Sequence, residues 1–196
     1  MQVEYPEGAT PLDKQEMEGL HLSHITTREE LDRWEQENIL DAERWLIRKQ
    51  LSIQQILTEK FIRELHKRMF QRVWKWAGDF RLTEKNLGIK CWKIPVAIHE
   101  LCKDGTYWID HKTYNPDEIA VRIHHQLVSI HPFSNGNGRH ARLIADTFIQ
   151  KGFDRPRFTW GAMNLAKQGQ DRNTYIEALL CADHYDIKPL LAFARS

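Results

Sequence analysis

From Thr27 onward, apolar residues recur at intervals of three, four and seven: Leu31, Trp34, Ile39, Ala42, Trp45 and Leu46. That spacing lines one face of a helix. Charged residues fill the other positions, and Thr27 with Glu30 reads as a capping box, so a helix is predicted over 27–49. A second stripe, Phe61, Leu65, Met69, Val73 and Trp76, predicts a helix over 58–76 that Gly78 should end. Residues 79–94 break the pattern: Phe80, Ile89, Trp92 and Ile94 alternate with Asn86, Gly88 and lysines. A short hairpin or an extended flap fits that stretch. Pro95 opens a helical segment to about 110. Asn115-Pro116-Asp117-Glu118 is a helix start, with a capping amide, a preorganised proline and two acids at the positive end of the dipole. Ile119, Ile123, Leu127 and Ile130 form its buried stripe, and Pro132 stops it. Another helix is expected after Gly138, closed by Gly152, and two more over 162–182 and 187–194. Residues 1–24 carry Pro6, Gly8, Pro11 and Gly19 and no sustained period. The expected architecture is all-α with one small β-hairpin flap. It divides into an irregular arm (1–26), an N-terminal helical region (27–57) and a core (58–196).

Composition narrows the class. The 196 residues are 41% hydrophobic and 10% aromatic, too much core material for a disordered chain. A net charge of +1 gives no overall footprint for nucleic acid or an acidic membrane, so neither is expected as a direct partner. Cys91, Cys102 and Cys181 are odd in number and form no CxxC pair, which argues against a disulfide framework and fits a reducing cytoplasm. The acidic first residues do not read as a signal peptide, and no apolar run is long enough to span a membrane. A soluble cytoplasmic protein is expected.

The chemistry concentrates in His131-Pro-Phe-Ser-Asn-Gly-Asn-Gly-Arg-His-Ala-Arg142. A helix ends, a glycine-bearing loop turns and a second helix begins. The N–H groups of Gly136, Asn137 and Gly138 then lie at a helix N-terminus, a place where free donors and the dipole attract an anion. Arg139 and Arg142 are three apart and point the same way; two guanidiniums there suit a polyphosphate. His131, at the rim, is a residue type able to take a proton from an attacking hydroxyl near neutral pH. The tryptophans Trp34, Trp45, Trp74 and Trp76 lie on helical stripes and are expected in the core, as is His124.

This segment resembles the signature of the Fic family, His-x-Phe-x-(Asp/Glu)-Gly-Asn-Gly-Arg-x-x-Arg, at all but one specified position. Leu65-His66, the run Val73–Arg81 containing Trp-Ala-Gly, and Arg172-Asn-Thr-Tyr175 extend the likeness across about residues 27–185. Within the family, His24–Thr27 and Trp34–Ile39 are worded like the group called mobile mystery protein B. The resemblance implies a Fic-type helical bundle that moves AMP from ATP to a Ser, Thr or Tyr hydroxyl of a target protein. By position, His131 would be the general base and Phe133 the loop's anchor. Gly136, Asn137 and Gly138 would hold phosphates, Arg139 the β-phosphate and Arg142 the γ-phosphate. Residues 84–95 would be a flap that positions the target by strand-like pairing, and Tyr175 would border the base pocket. The family's acidic Mg²⁺ ligand is Asn135 here. An amide ligates Mg²⁺ or Mn²⁺ without adding charge. The subgroup implies a neighbouring-gene DNA-binding regulator as a partner.

Many relatives carry an inhibitory (Ser/Thr)-x-x-x-Glu-(Gly/Asn) motif, whose Glu competes with phosphate for the second arginine. Arg33-x-x-x-Glu37-Asn38 and Thr26-x-x-x-Glu30-Leu31 each match in part. Glu37 is the preferred inhibitory residue, because Glu30 is explained by capping. Alternative readings are transfer of another phosphate-containing group, removal of AMP, and a non-catalytic nucleotide-binding scaffold. A metallohydrolase built on His124, His125, His131 and His140 is disfavoured, since their spacing is not that of a zinc-binding helix.

Overall fold

The computed structural model describes residues 17–21, 25, 27–161 and 168–196. Most of the irregular arm, and the start of the helix expected over 162–182, lie outside those residues. Eight α-helices are described: α1 (Arg28–Arg48), α2 (Ile53–Ile56), α3 (Glu59–Phe70), α4 (Ile94–Asp110), α5 (Pro116–Ile130), α6 (Asn137–Phe153), α7 (Gln168–Asp183) and α8 (Lys188–Arg195). No helix among the described residues is long and apolar enough to cross a membrane.

The helix starts follow the expected capping chemistry. Thr27 and Glu30 form the reciprocal box at α1, and the Asn115 side chain accepts from Glu118 N–H at 3.0 Å at α5. Thr58 caps α3 by accepting from Phe61 N–H. The ends differ more. α3 stops at Phe70, eight residues before Gly78, and residues 71–78 form turns. Gly78, at φ +86°, is needed there for another reason: a Cβ would meet Lys67 Cβ at 2.8 Å and Arg63 O at 2.9 Å. α6 begins at Asn137, capped by Gly136 rather than starting after Gly138, and it passes Gly152 to end at Phe153. Asp154, at φ 51°, makes that turn. The short α2 has no counterpart in the expected elements, because four residues are too few to show a period.

α5 lies along α6 at the centre, with α1 packed on α3 and α8 on α7. Ile119, Ile123 and Leu127 of α5 and Ala141, Ile144 and Phe148 of α6 are buried. Each large apolar side chain buried this way contributes about 1.5–3 kcal/mol. Asn38 ties α1 to the end of α3: its Nδ2 donates to Arg68 O and its Oδ1 accepts from Arg72 N–H, both at 2.9 Å. Trp74 is buried, but Trp34 is 39% exposed, so its place on the stripe does not bring it into the core.

Residues 82–90 contain no strand; the segment is the extended flap rather than a hairpin. Arg81 explains why. Its buried guanidinium donates from Nε to His131 O at 2.7 Å, from Nη1 to Thr83 O at 2.8 Å, and from Nη2 to Ile89 O. These bonds serve carbonyls that a cross-strand ladder would otherwise satisfy. Arg81 N–H to Pro132 O and Ile89 N–H to Ile130 O fasten the flap to the end of α5.

Candidate functional site

The loop between α5 and α6 is held from below. Phe133 is fully buried and stacks on His66 with ring centroids 3.7 Å apart. His66 Nδ1 accepts from Gly78 N–H at 3.0 Å, which leaves Nε2 to donate to Asn135 O at 3.0 Å. Burial, the first cause, holds this imidazole well below its usual pKa, in keeping with that neutral tautomer. Asn137 closes the loop: its Oδ1 accepts from Phe133 N–H at 2.9 Å and its Nδ2 donates to Phe133 O at 2.8 Å. Its side chain is therefore a staple, and only its backbone N–H remains for an anion.

His131 ends α5 in the left-handed region, at φ 54° and ψ 60°. That strained conformation, fixed by Arg81 on its carbonyl, turns the side chain out of the helical register. The imidazole lines a cleft of about 890 Å³. Its pKa is lowered to about 4, first by burial and then by the charges of Arg81 and Lys85, so it is neutral at pH 7.

Gly136, Asn137 and Gly138 line the same cleft. The first intrahelical bond of α6 runs from His140 N–H to Gly136 O, so the N–H groups of Asn137, Gly138 and Arg139 precede the ladder and carry the positive end of the dipole. A Cβ on Gly138 would meet nothing within 4 Å; the backbone there is open to an approaching anion. Arg139 and Arg142 both line the cleft, but their environments differ. Arg139 Nη2 donates to Glu35 Oε2 at 2.6 Å. The guanidinium of Arg142 lies 4.4 Å from the Tyr175 ring centroid and 5.8 Å from that of Trp160. Tyr175 thus covers an arginine as well as bordering the cleft.

Glu37 is not brought to either arginine. It is exposed on α1, while Glu35, two residues earlier and about 200° around the helix, is 1% exposed. Glu35 also accepts from Trp74 Nε1 at 2.6 Å. The carboxylate that reaches the signature is therefore Glu35, and it reaches the first arginine. A signal was present: Glu35 falls four after Leu31 on the buried stripe, where an acid demands a partner. Asp32, one turn before, lines the cleft.

Asn135, the expected metal ligand, lines the cleft. Its Oδ1 accepts from Gly136 N–H at 2.7 Å, and it brings no charge. Among the described residues no group of three or more His, Cys, Asp or Glu side chains is arranged to hold a metal ion. The histidines diverge instead: His124 bonds Tyr175, His125 bonds Asp183 and His140 bonds Ile62 O.

Residues 56–149, which contain this loop and the flap, match the Fic/DOC family model. This chain is a Fic-domain protein. It is 30% identical over 141 residues to "Protein adenylyltransferase Fic" from Aedes aegypti, a match covering 70% of this chain and 27% of that protein. The chain thus spans about a quarter of the length of such relatives. Its fold is similar to that of Fic-1 from C. elegans, at a TM-score of 0.65 and 24% identity, over 91% of this chain and 51% of that one. It is also similar to BepC of Bartonella tribocorum with bound AMPPNP, at a TM-score of 0.67 and 16% identity, over 93% and 97% of the two chains. The all-helical Fic architecture expected from the signature is what the chain adopts.

Proposed function

We propose that this Fic domain transfers AMP from ATP to a Ser, Thr or Tyr hydroxyl of a target protein. The observation that carries the reading is His131, a neutral imidazole in the same cleft as an open helix N-terminus and Arg142. The names of the relatives, protein adenylyltransferases, agree with it.

In the reaction, His131 takes the proton of the acceptor hydroxyl. The oxygen bonds to the α-phosphorus of ATP. The bond from that phosphorus to the bridging oxygen breaks, and pyrophosphate leaves with the electron pair. The proton on His131 then passes to solvent. A pKa of about 4 makes a weak base, but it keeps the ring unprotonated, and an arriving anionic triphosphate stabilises the imidazolium as it forms. The N–H groups at Gly138 and Arg139 hold phosphate oxygens against developing charge. The extended flap over residues 82–90 lays the target chain beside His131; residues 91–95 of the segment expected as flap are helical.

The domain rests in a restrained form. Glu35 competes with phosphate for Arg139, the first arginine of the signature, whereas the sequence pattern expected Glu37 to compete for the second, Arg142. The test is release of pyrophosphate that depends on added target protein and matches the phosphodiester formed one for one, read by mass spectrometry of the target. Nucleotide binding without either product would leave a binding scaffold.

A further inference from the structure

Arg142 is the feature of the cleft that its charge alone does not explain. Its Nε is buried and has no hydrogen-bond partner among the described residues. Arg139, one turn earlier, is paired with a buried carboxylate; Arg142 makes no ion pair among the described residues. Rings surround it instead. Tyr175 of α7 lies 4.4 Å from the guanidinium carbon and Trp160 lies 5.8 Å from it. Faces of aromatic rings attract a cation without cancelling its charge.

Both rings are themselves held. Asp146, four residues after Arg142 on α6, accepts from Trp160 Nε1 at 3.0 Å and from Phe158 N–H at 3.1 Å. Trp160 sits at φ 51° and Gly161 at φ +80°, a backbone turn that carries the indole back toward α6. Tyr175 Oη lies 3.0 Å from His124 Nε2 on α5, and the His124 ring lies 4.5 Å from the Trp160 ring. Three helices and the 158–161 loop therefore converge on one guanidinium. Such a construction costs stability, since a partly buried cation lacks a counter-charge, and it suits a site whose counter-charge arrives with a ligand.

We propose that Trp160 and Tyr175 are positioning residues that hold Arg142 charged and unpaired so that it receives the terminal phosphates of a nucleoside triphosphate. Asp146 and His124 fix the two rings. The proposal rests on the nucleotide reading above, but its test is binding, not transfer, so the two fail separately.

The experiment is calorimetric titration of the full chain with ATP and with AMP, and the quantity read is the ratio of their affinities. Arg142→Ala should collapse that ratio toward one. Trp160→Leu should lower it about tenfold while AMP affinity is kept, in line with the strength of a desolvated cation–π contact, and Tyr175→Leu should lower the ratio as far on top of any change in AMP affinity, since Tyr175 also borders the cleft. Tyr175→Phe, which keeps the ring but loses the hydroxyl's hydrogen bond to Arg142, should restore part of the loss. A thermal melt of each variant confirms folding. A purely structural role would weaken ATP and AMP together. A wild-type ratio in folded Trp160→Leu and Tyr175→Leu, or in Arg142→Ala, overturns the proposal, whatever the transfer assay gives.

Discussion

Glu35 and Arg139 meet at 2.6 Å across 104 positions of chain, a carboxylate 1% exposed on α1 against the first arginine of the signature, in the first turn of α6. On the proposed function, the pair occupies a guanidinium that a polyphosphate would otherwise claim. Glu35→Gln keeps an acceptor for Trp74 Nε1 and removes the charge, so it should raise ATP affinity and AMP transfer several-fold. Glu37→Gly, on the exposed face, should change neither beyond about twofold. Titration and transfer assays on the two variants check this; an increase in Glu37→Gly alone would reverse the assignment.

Gly88 is where the flap meets His131, the proposed base. A Cβ there would collide with His131 Cβ and lie 3.0 Å from Ile130 O, and the residue sits at φ +94°. Gly88→Ala should displace the flap from His131. Transfer should fall at least tenfold while AMP affinity holds, and a chain stable to heating would show that the effect is local.

Gly136 has the opposite dependence, on the core. It caps α6 at φ +76°, and an added Cβ would strike the Phe70 ring. Gly136→Ala should lower stability by about 1–3 kcal/mol, measured by denaturant unfolding, and weaken ATP binding along with it.

The pH dependence follows from buried histidines. Burial lowers His124 to about 3 and His140 to about 4. A group whose folded pKa is depressed contributes stability above its unfolded value, near 6.5, and loses it as pH falls to the folded value. Asp146 works the other way: burial raises it to about 6, so its contribution is present at low pH and fades as pH rises through that value. With several histidines against one such acid, the melting temperature should fall steadily from pH 6.5 toward 4. His131, lowered to about 4, stays neutral over most of this range. The acid limb of the transfer rate should accordingly lie well below 6.5, provided the chain is still folded.

What the sequence made legible was what short-range chemistry decides. Helix starts at Thr27, Thr58 and Asn115 were readable because a cap and its partner lie within three residues. The loop from His131 to Arg142 was readable because its glycines and arginines are contiguous. Helix ends were less so, since Phe70 and Asp154 stop their helices for tertiary reasons that no local glycine announces. The long-range partners were not legible. Glu35 on Arg139, Trp160 over Arg142 and Arg81 on Ile89 O are each chosen by how helices and loops cross. Periodicity alone placed Trp34 inside, yet it stands at 39% exposure, because a stripe wider than its neighbouring helix leaves its margin in water.

The most direct test of the account compares wild type and His131→Ala with ATP labelled on the α- or the γ-phosphate, in the presence of candidate target proteins. The account predicts α-label bound to protein in the wild type, none from the γ-position, and loss of at least a hundredfold in His131→Ala with ATP affinity kept. Undiminished α-label in that variant, or protein-bound γ-label, would contradict it.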